Sequence, residues 1–164
     1  MTLQIESSTS PESTELIQKF LSQHRSGVLA TADKAANPHA AVVYYVMNDD
    51  FTLLFSTKTE TQKLKNIEEN NQVAFVVYDE AEQTVIQITG EAEIVENEDE
   101  RQRALNNMFT SSTELSLNVT PPAEKLYAGS YIAVRVSPQV IKMAVYARPD
   151  SEGDDLFETL LFSK

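Results

Sequence analysis

The sequence of 164 residues contains no cysteine and only two histidines. Without cysteine, the protein can form neither a disulfide bond nor a thiolate metal site. Two histidines are too few for a typical histidine-based metal site. The acidic segments 91–100 and 150–155 show no spacing typical of metal ligands, so we predict no bound metal. The sequence also lacks an apolar run of about 20 residues and a basic, then apolar leader. We therefore expect a cytoplasmic protein that does not associate with membranes.

Positive charge is scarce as well. The chain has 13 lysines and arginines against 25 aspartates and glutamates, which gives a formal net charge of −12 at pH 7. Because neutralisation of phosphates dominates the affinity of proteins for nucleic acids, this charge argues against nucleic acid as a partner. The length and the hydrophobic fraction of 41% are typical of one globular domain with a real core.

The most informative stretch, Phe51–Val77, reads as strand, polar turn, helix and strand. Apolar residues alternate in the first strand, Phe51–Ser56. Residues 57–62 contain two overlapping capping-box patterns, which predict a helix that begins near Glu60. Leu64 and Ile67 give this helix a narrow apolar stripe. A second strand, Val73–Tyr78, follows two asparagines that end the helix.

Three cations are concentrated where this helix begins. Lys58, Lys63 and Lys65 fall within eight positions. A helix N-terminus presents free backbone N–H groups and a partial positive charge, which suit a phosphate. In a chain so acidic, the concentration predicts an anion site. The alternative is a solvated helix face whose lysines pair with neighbouring glutamates.

The remaining sequence predicts mostly antiparallel strands with helices between them. The expected elements are a helix that starts at Pro11 and is ended by Gly27, a strand at Val28–Ala32, and a strand at His39–Met47 that is covered on both faces. A long strand at Thr84–Val95 follows, with a bulge or a close backbone approach at Gly90 and with Ile94 on its apolar face. The last elements are a surface helix at Asn97–Phe109 and two strands at Tyr131–Val136 and Val140–Tyr146 that are broken at Ser137-Pro138. Six or seven strands in consecutive hairpins favour a small, mainly β barrel, because closure leaves no exposed sheet edge.

The domain organisation follows from the same pattern. We expect a loose N-terminal arm at 1–10, a barrel domain at 11–146, and a tail at 147–164. The tail is acidic and then apolar, so it could dock on its own barrel or on a partner subunit. The turn-rich segment Thr110–Ala123 predicts a loop long enough to act as a lid or an intersubunit arm.

Six segments occur in an order that is typical of one family. They are GVLAT (Gly27–Thr31), an apolar strand after Pro38, LLFST (Leu53–Thr57), TQK (Thr61–Lys63), NQVAFVV (Asn71–Val77) and QITGEAEIV (Gln87–Val95). Over roughly residues 14–146, this order resembles the pyridoxamine 5′-phosphate oxidase-like proteins, the FMN-binding split barrels. The resemblance implies a six- to seven-stranded antiparallel split β-barrel, a homodimer, and FMN in clefts at the subunit interface.

The resemblance also implies the residues that bind the cofactor. Thr57 matches a family threonine at the end of a strand, and Thr61, Gln62 and Lys63 fall on a Ser-Arg-Lys triplet that grips the phosphate. The backbone of one strand would face the flavin ring, and a later glutamine would contact the ring. With the nearby lysine, the candidate residues are Ala41, Val42, Val43, Thr57, Lys58, Thr61, Gln62, Lys63 and Gln87.

Several family residues are replaced in this chain. Gln62 stands in place of the triplet arginine, and Ala41 and Val46 stand where the oxidase carries an arginine and a lysine. An Arg-x-His pattern that would hold pyridoxal phosphate is also missing near the C-terminal strand. We therefore expect a relative of pyridoxamine phosphate oxidase rather than that enzyme.

The leading hypothesis is an FMN-dependent oxidoreductase with an unknown substrate and electron donor. No catalytic residue can be named, because the flavin performs the chemistry. One alternative is a non-catalytic dimeric module that binds a small ligand, or that has lost its cofactor and acts through protein interactions. Another is a deazaflavin- or haem-binding relative, although His24 and His39 are expected to be structural or exposed rather than haem ligands.

Overall fold

The computed structural model describes residues 4–5, 10–115, 130–147 and 157–163, with side chains for 10–111, 130–147 and 157–163. The helices in these ranges are α1 (Pro11–Gln23), α2 (Gln62–Glu69) and α3 (Glu98–Leu115). The strands are β1 (Gln4–Ile5), β2 (Ser26–Ala32), β3 (Pro38–Met47), β4 (Leu53–Lys58), β5 (Gln72–Asp79), β6 (Thr84–Ile94), β7 (Tyr131–Val145) and β8 (Phe157–Ser163). Within these ranges, no helix has both the length and the apolar content needed to cross a membrane.

Six strands close into an antiparallel barrel. Their order is β7-β4-β3-β2-β5-β6, and the ring closes because β6 pairs with β7 as well as with β5. Closure gives every barrel strand a neighbour on both sides and so removes most of the exposed sheet edge, although β3 and β4 pair over only three residues each. Outside the ring, β8 pairs with β7 and β1 pairs with β8. The prediction of a mainly β, antiparallel barrel with peripheral helices is confirmed.

The core fills the barrel and extends to the helices that cover it. Inward-facing side chains of the strands pack against Ile17, Phe20 and Leu21 of α1 and against Leu64 and Ile67 of α2. Each large apolar side chain that is fully buried stabilises the fold by about 1.5–3 kcal/mol. The narrow apolar stripe predicted for α2 is therefore confirmed, and it fixes this short helix on the barrel.

Helix α1 begins as predicted but ends earlier. Ser10 is its N-cap and accepts a hydrogen bond from the backbone N–H of Ser13 at 3.2 Å, with Pro11 in the first turn. Gly27 does not end the helix and lies instead inside β2. A Cβ atom there would approach the Phe75 ring to 2.4 Å, so this glycine permits close packing between neighbouring strands.

The hairpin between β3 and β4 differs from the prediction in two ways. Phe51 lies in the turn with φ of 66°, and β4 starts only at Leu53. Strand β3 is not covered on both faces, since Val42 is 69% exposed while Val43 is buried. The apolar run of β3 thus reflects one face in the core and a second apolar face on the outside of the barrel.

The second half of the chain contains three further corrections. Helix α3 continues past Phe109 to Leu115, so the first part of the predicted 110–123 loop is helical, and the rest lies outside the described residues. Ile94, expected on the buried face of β6, is 44% exposed. Strand β7 runs through Ser137-Pro138 without a break.

The bulge predicted at Gly90 explains why β7 tolerates a proline. The register between β6 and β7 shifts between Thr89 and Gly90, and Pro138 is the register partner of Gly90. A proline has no N–H group to donate to a ladder, and a bulge is one of the places in a sheet where that loss is accepted. Pro138 therefore lies where the ladder is already irregular.

The C-terminal segment docks on the chain's own barrel. Residues 157–163 form β8, which pairs with the second half of β7 from Val140 to Ala144. Leu160 of β8 is fully buried in the core, and Phe162 packs against it. The sequence left open whether the tail docks on its own barrel or on a partner subunit. Over residues 157–163 it docks on its own barrel.

The close approach at Gly90 predicts the effect of a substitution there. A Cβ atom on residue 90 would lie 2.2 Å from the carbonyl oxygen of Ser137, which belongs to the backbone and cannot rotate away. We expect Gly90→Ala to destabilise the fold by about 2 kcal/mol or more, because strands β6 and β7 must separate. Thermal unfolding measures this loss. Thr89→Ala, an exposed neighbour, is the control and should unfold within about 0.5 kcal/mol of wild type.

Candidate functional site

Three polar side chains meet where β4 ends and α2 begins. Thr57 Oγ1 lies 3.0 Å from Thr61 Oγ1, and Lys63 Nζ donates a hydrogen bond to Thr57 Oγ1 at 3.3 Å. Thr57 is buried at the end of β4, whereas Thr61 and Lys63 are half-buried. Two hydroxyl groups and an ammonium group therefore converge at one point, and the ammonium group of Lys63, which has three N–H donors, keeps donors that suit an anion. We call these three residues the polar cluster.

The first turn of α2 adds backbone donors to the polar cluster. Thr61 is the N-cap of α2, but its hydroxyl donates to the carbonyl oxygen of Lys58 at 2.9 Å and makes no capping bond. Both predicted capping boxes are therefore wrong, and the helix begins at Gln62 rather than near Glu60. The N–H groups of a helical first turn have no acceptor within the helix. Left uncapped by Thr61, they favour an anion at this position.

Burial lowers the pKa of Lys63, because the partly desolvated ammonium group is less stable in its charged form. Within the described part of the chain, none of Lys58, Lys63 and Lys65 forms a salt bridge with a carboxylate. The alternative reading, a solvated face of lysine–glutamate pairs, finds no support in these contacts. Lys63 has lost part of its hydration and has no carboxylate partner among the described residues, which is a reason to expect an anionic ligand.

Two predicted phosphate ligands are engaged elsewhere. Lys58 Nζ lies 5.8 Å from the centre of the Tyr131 ring, in a cation–π contact. The side-chain amide of Gln62 donates to Asn66 Oδ1 at 2.8 Å, and Asn66 is buried and in turn donates to Thr31 Oγ1 at 3.0 Å. The structure thus brings Thr57, Thr61 and Lys63 together but ties Lys58 and Gln62 to other partners.

The barrel is split beside the polar cluster. Strands β3 and β4 pair only over Tyr45–Met47 and Leu53–Phe55. Residues Ala41, Val42 and Val43 pair with β2 on one side and with no described strand on the other. Their unpaired edge borders a gap between β3 and the end of β4. The backbone groups on this edge are therefore not paired with a described strand.

Gln87 lies on the outer face of the sheet and is exposed. A single row of register partners connects it to β3 by way of β5 and β2, in the order Gln87, Val76, Val28 and Val42. Three strand spacings separate Gln87 from Val42 along the curved sheet, and in a ring of six strands this places β6 on the opposite side of the barrel from β3. Gln87 therefore cannot contact a ligand in the gap of its own chain.

A cavity of about 350 Å³ lies beside the second half of β3, between α1 and α3. Its lining includes Arg25, Val46, Asn107 and Thr110. Asn107 Nδ2 is buried and has no hydrogen-bond partner in the described structure. A buried donor left unpaired costs about 1–3 kcal/mol, and an oxygen atom of a ligand would satisfy it. The volume is in the range of small-molecule sites.

The sequence pattern did not identify this cavity. Its lining comes from α1, β3 and α3, which are far apart in the chain, and no local spacing relates Arg25 to Asn107. The one available signal was the pair of uncharged polar residues Asn106 and Asn107 in a predicted surface helix, and it is weak. His24 also borders the cavity, but its two ring nitrogens lie 2.7 Å from the carbonyl oxygen of Phe20 and 3.0 Å from Asp79 Oδ2. His24 thus has a structural role.

Comparison with known proteins gives consistent results. Residues 13–142 match the sequence profile of a family described as pyridoxamine 5′-phosphate oxidase. No curated protein matches the sequence significantly. An F420 reductase of known structure has 23% identity over 76% of this chain and 94% of its own, with a TM-score of 0.58.

Two further solved structures have the same fold. PhzG from Burkholderia lata 383, in complex with tetrahydrophenazine-1-carboxylic acid, has 16% identity over 92% of this chain and 95% of its own, with a TM-score of 0.64. HutZ, the haem storage protein from Vibrio cholerae, has 18% identity over 76% of this chain and 88% of its own, with a TM-score of 0.55. At such identities the likeness concerns the fold alone.

The lowered pKa of Lys63 predicts an unusual response to substitution. Because burial disfavours the charged ammonium group, Lys63 costs stability at neutral pH when no anion is present. Lys63→Met keeps the apolar stem and removes the charge, so it should unfold at the same temperature as wild type or a higher one. The difference should shrink as the pH rises towards 10.5, where the unfolded chain also loses this proton.

Thermal unfolding at pH 7 and pH 10, without added ligand, measures this response. Lys65→Met, at an exposed lysine of the same helix, serves as the control and should match wild type at both values. A clear destabilisation by Lys63→Met at pH 7 would contradict the expected cost of burying this cation.

Proposed function

This chain belongs to the pyridoxamine 5′-phosphate oxidase family, and we propose that it is an FMN-binding flavoprotein that works as a homodimeric oxidoreductase. The observation that carries the proposal is the polar cluster of Thr57, Thr61 and Lys63, which lies at the uncapped first turn of α2. The adjoining edge of β3 at Ala41–Val43 is not paired with β4. A phosphate attached to a planar ring system suits both features at once.

The donor set of the polar cluster fits one phosphate group. Lys63 would supply the charge and the first turn of α2 its backbone N–H groups, and the hydroxyl groups of Thr57 and Thr61 would donate once they turn from their present partners to the phosphate. The phosphate would in turn offset the cost of burying Lys63. Bound FMN would supply the electron or hydride transfer, and the protein would bind and orient it. The unpaired edge of Ala41–Val43 would face the flavin ring.

A second copy of the chain is expected on the outer face of the sheet. Val28 and Val42 are exposed there at 41% and 69%, and Ala30 and Ala40 are exposed beside them. This apolar face contains no carboxylate, so two copies of a chain with net charge −12 could meet on it with little repulsion. Since Gln87 cannot reach the gap of its own chain, its contact with the flavin would be made across this interface.

The substrate or electron donor is assigned to the cavity of about 350 Å³ beside Val46. A ligand there would lie along the same strand whose residues 41–43 border the gap. The buried, unpaired Nδ2 of Asn107 would donate to a carbonyl or carboxylate oxygen of such a ligand once its side chain turns towards the cavity. Because Val46 stands where the oxidase carries a lysine, we do not expect a phosphorylated substrate.

One observation favours a second candidate function, a dimeric binding module without redox activity. Ala41 and Gln62 replace two family arginines, and Gln62 is tied to Asn66, so Lys63 is the cation of the polar cluster. Known structures with this fold carry names that refer to F420 and to haem as well. Loss of FMN, or its exchange for another ligand, would be compatible with the fold.

Flavin titration tests the cofactor assignment. The purified protein should show flavin absorbance that co-elutes on gel filtration after incubation with FMN. Lys63→Ala should raise the Kd for FMN by about tenfold or more, because the phosphate loses its cationic partner. The Kd for riboflavin, which has no phosphate, should stay unchanged, and Lys65→Ala should bind both flavins like wild type.

The same samples decide between the two candidate functions. Bleaching of the bound flavin by a nicotinamide nucleotide under anaerobic conditions would support the oxidoreductase. A protein that remains colourless after incubation with FMN would contradict the flavin assignment and favour the binding module.

The apolar outer face predicts the oligomeric state. Wild type should be a dimer in sedimentation or light scattering, and Val42→Asp should shift it to monomer, since a carboxylate would be buried at the interface. The monomer should also lose affinity for FMN. Leu16→Asp changes an exposed apolar residue of α1, away from this face, so this variant should remain dimeric. A wild-type protein that is only monomeric would contradict the interface assignment.

A further inference from the structure

The cavity beside the second half of β3 has an apolar interior and a polar mouth. Leu21 and Tyr45 of its lining are buried, and Val46 and Met47 are half-buried. The hydroxyl group of Tyr45 already donates to the carbonyl oxygen of Leu21 at 2.7 Å, so its proton is not available to a ligand. The exposed polar residues of the lining, which form the mouth, are Ser22, Arg25 and Thr110. A ligand that fits this arrangement has an apolar body and one polar end.

The charge of the lining favours an anion at that polar end. Arg25 contributes a positive charge, and no residue of the lining carries a carboxylate. The ring nitrogens of His24, which also borders the cavity, already face the carbonyl oxygen of Phe20 and the carboxylate of Asp79. A guanidinium group has five N–H donors in a planar fork, so it can hold a carboxylate with two of them and keep the others for a protein partner.

We propose that this cavity binds a small monocarboxylic acid with an apolar body, whose carboxylate is held by Arg25 at the mouth. The inference deepens the proposed function, which places the substrate or electron donor in this cavity, and the role of the acid as substrate rests on that function. One guanidinium group balances one negative charge, whereas a phosphate monoester carries close to two at neutral pH. The lining therefore favours a carboxylate over a phosphate.

Asn107 offers the ligand a second polar contact. It lines the cavity from α3, and its buried Nδ2 has no hydrogen-bond partner in the described structure. Such a donor has lost its hydration without a replacement, and an acceptor on a ligand would restore the bond. Once the side chain turns towards the cavity, the amide would donate to a carboxylate oxygen. Arg25 and Asn107 would then hold the acid between two elements that are distant in the chain.

The volume of the cavity limits the size of the acid. About 350 Å³, at the roughly 30 Å³ that a water molecule occupies in the liquid, leaves room for about a dozen non-hydrogen atoms. Benzoate is within this size. Benzamide has the same shape without the charge, and phenyl phosphate carries a second negative charge on a similar ring. These three compounds are therefore suitable probes of the ligand class.

Titration of the protein without flavin tests the class of ligand. The methyl resonance of Met47, which lines the cavity, reports occupancy, and Met143, a buried core residue outside the lining, serves as the reference. Benzoate should bind about tenfold more tightly than benzamide, because hydrogen bonds between a guanidinium group and a carboxylate are charge-assisted. Phenyl phosphate should bind more weakly than benzoate, because one cation does not balance its charge.

Two matched pairs of variants test the residues. Arg25→Gln should raise the Kd for benzoate about tenfold and leave the Kd for benzamide unchanged. Lys19→Gln, at an exposed lysine of α1 outside the lining, is its control and should bind both like wild type. Asn107→Asp replaces the amide by a carboxylate of the same shape and should weaken benzoate binding by about tenfold or more. Asn106→Asp makes the same change at the exposed neighbour outside the lining and should have no effect.

Three results would overturn the proposal. They are equal affinities for benzoate and benzamide, tighter binding of phenyl phosphate than of benzoate, and an unchanged affinity for benzoate in Arg25→Gln. A protein that binds FMN but none of the three probes would also overturn it, while the proposed function would stand. A protein that binds benzoate through Arg25 but no FMN would refute the flavin assignment and support the carboxylate site as that of a binding module.

Discussion

The short ladder between β3 and β4 is the constraint on which the candidate site depends. The barrel closes through β6 and β7, so its backbone is paired almost everywhere, yet β3 separates from β4 beyond Tyr45 and Phe55. This separation leaves the edge of Ala41–Val43 open and places it beside the end of β4. The core holds the two strands in these positions, because Tyr45 and Phe55 are fully buried. A stable barrel therefore carries one local opening.

The charge and the backbone donors beside that opening favour an anion. In a chain with net charge −12, Lys63 is held half-buried, with a lowered pKa, against the hydroxyl of Thr57. The N-cap Thr61 turns its hydroxyl to the preceding turn and leaves the first turn of α2 uncapped. Both arrangements cost stability in a chain without a ligand, and both become favourable when an anion is present. This combination is the physical basis for expecting a phosphate.

The outer face of the sheet connects the candidate site to the proposed homodimer. Small apolar residues on β3, β2 and β5 form an outer surface without carboxylates, and the register row continues to Gln87 on β6. An apolar face of this kind suits self-association through a two-fold axis. Gln87, three strands away from β3, would address the gap only from a second copy. Under the proposed function, cofactor binding and dimerisation would therefore be coupled.

Much of the architecture could be predicted from the sequence by itself. Alternating apolar residues, Leu64 and Ile67 on α2, and Gly90 in a long strand indicated the barrel strands, the helix face and the bulge, because each is a local pattern with a direct backbone cause. The concentration of Thr57, Thr61 and Lys63 was visible for the same reason. Gly27 and Pro138 were misread, since their surroundings are set by Phe75 and by the bulge on a neighbouring strand.

Only the tertiary structure decided which surfaces and side chains meet. It showed that β3 has an exposed apolar face, that Gln62 is bound to Asn66, and that Asn107 borders a cavity with residues of α1 and β3. It also placed Gln87 three strands away from Val42, on the opposite side of the barrel. Periodicity reports which residues share a face of one element. The distances between elements depend on barrel closure and register, which no local pattern contains.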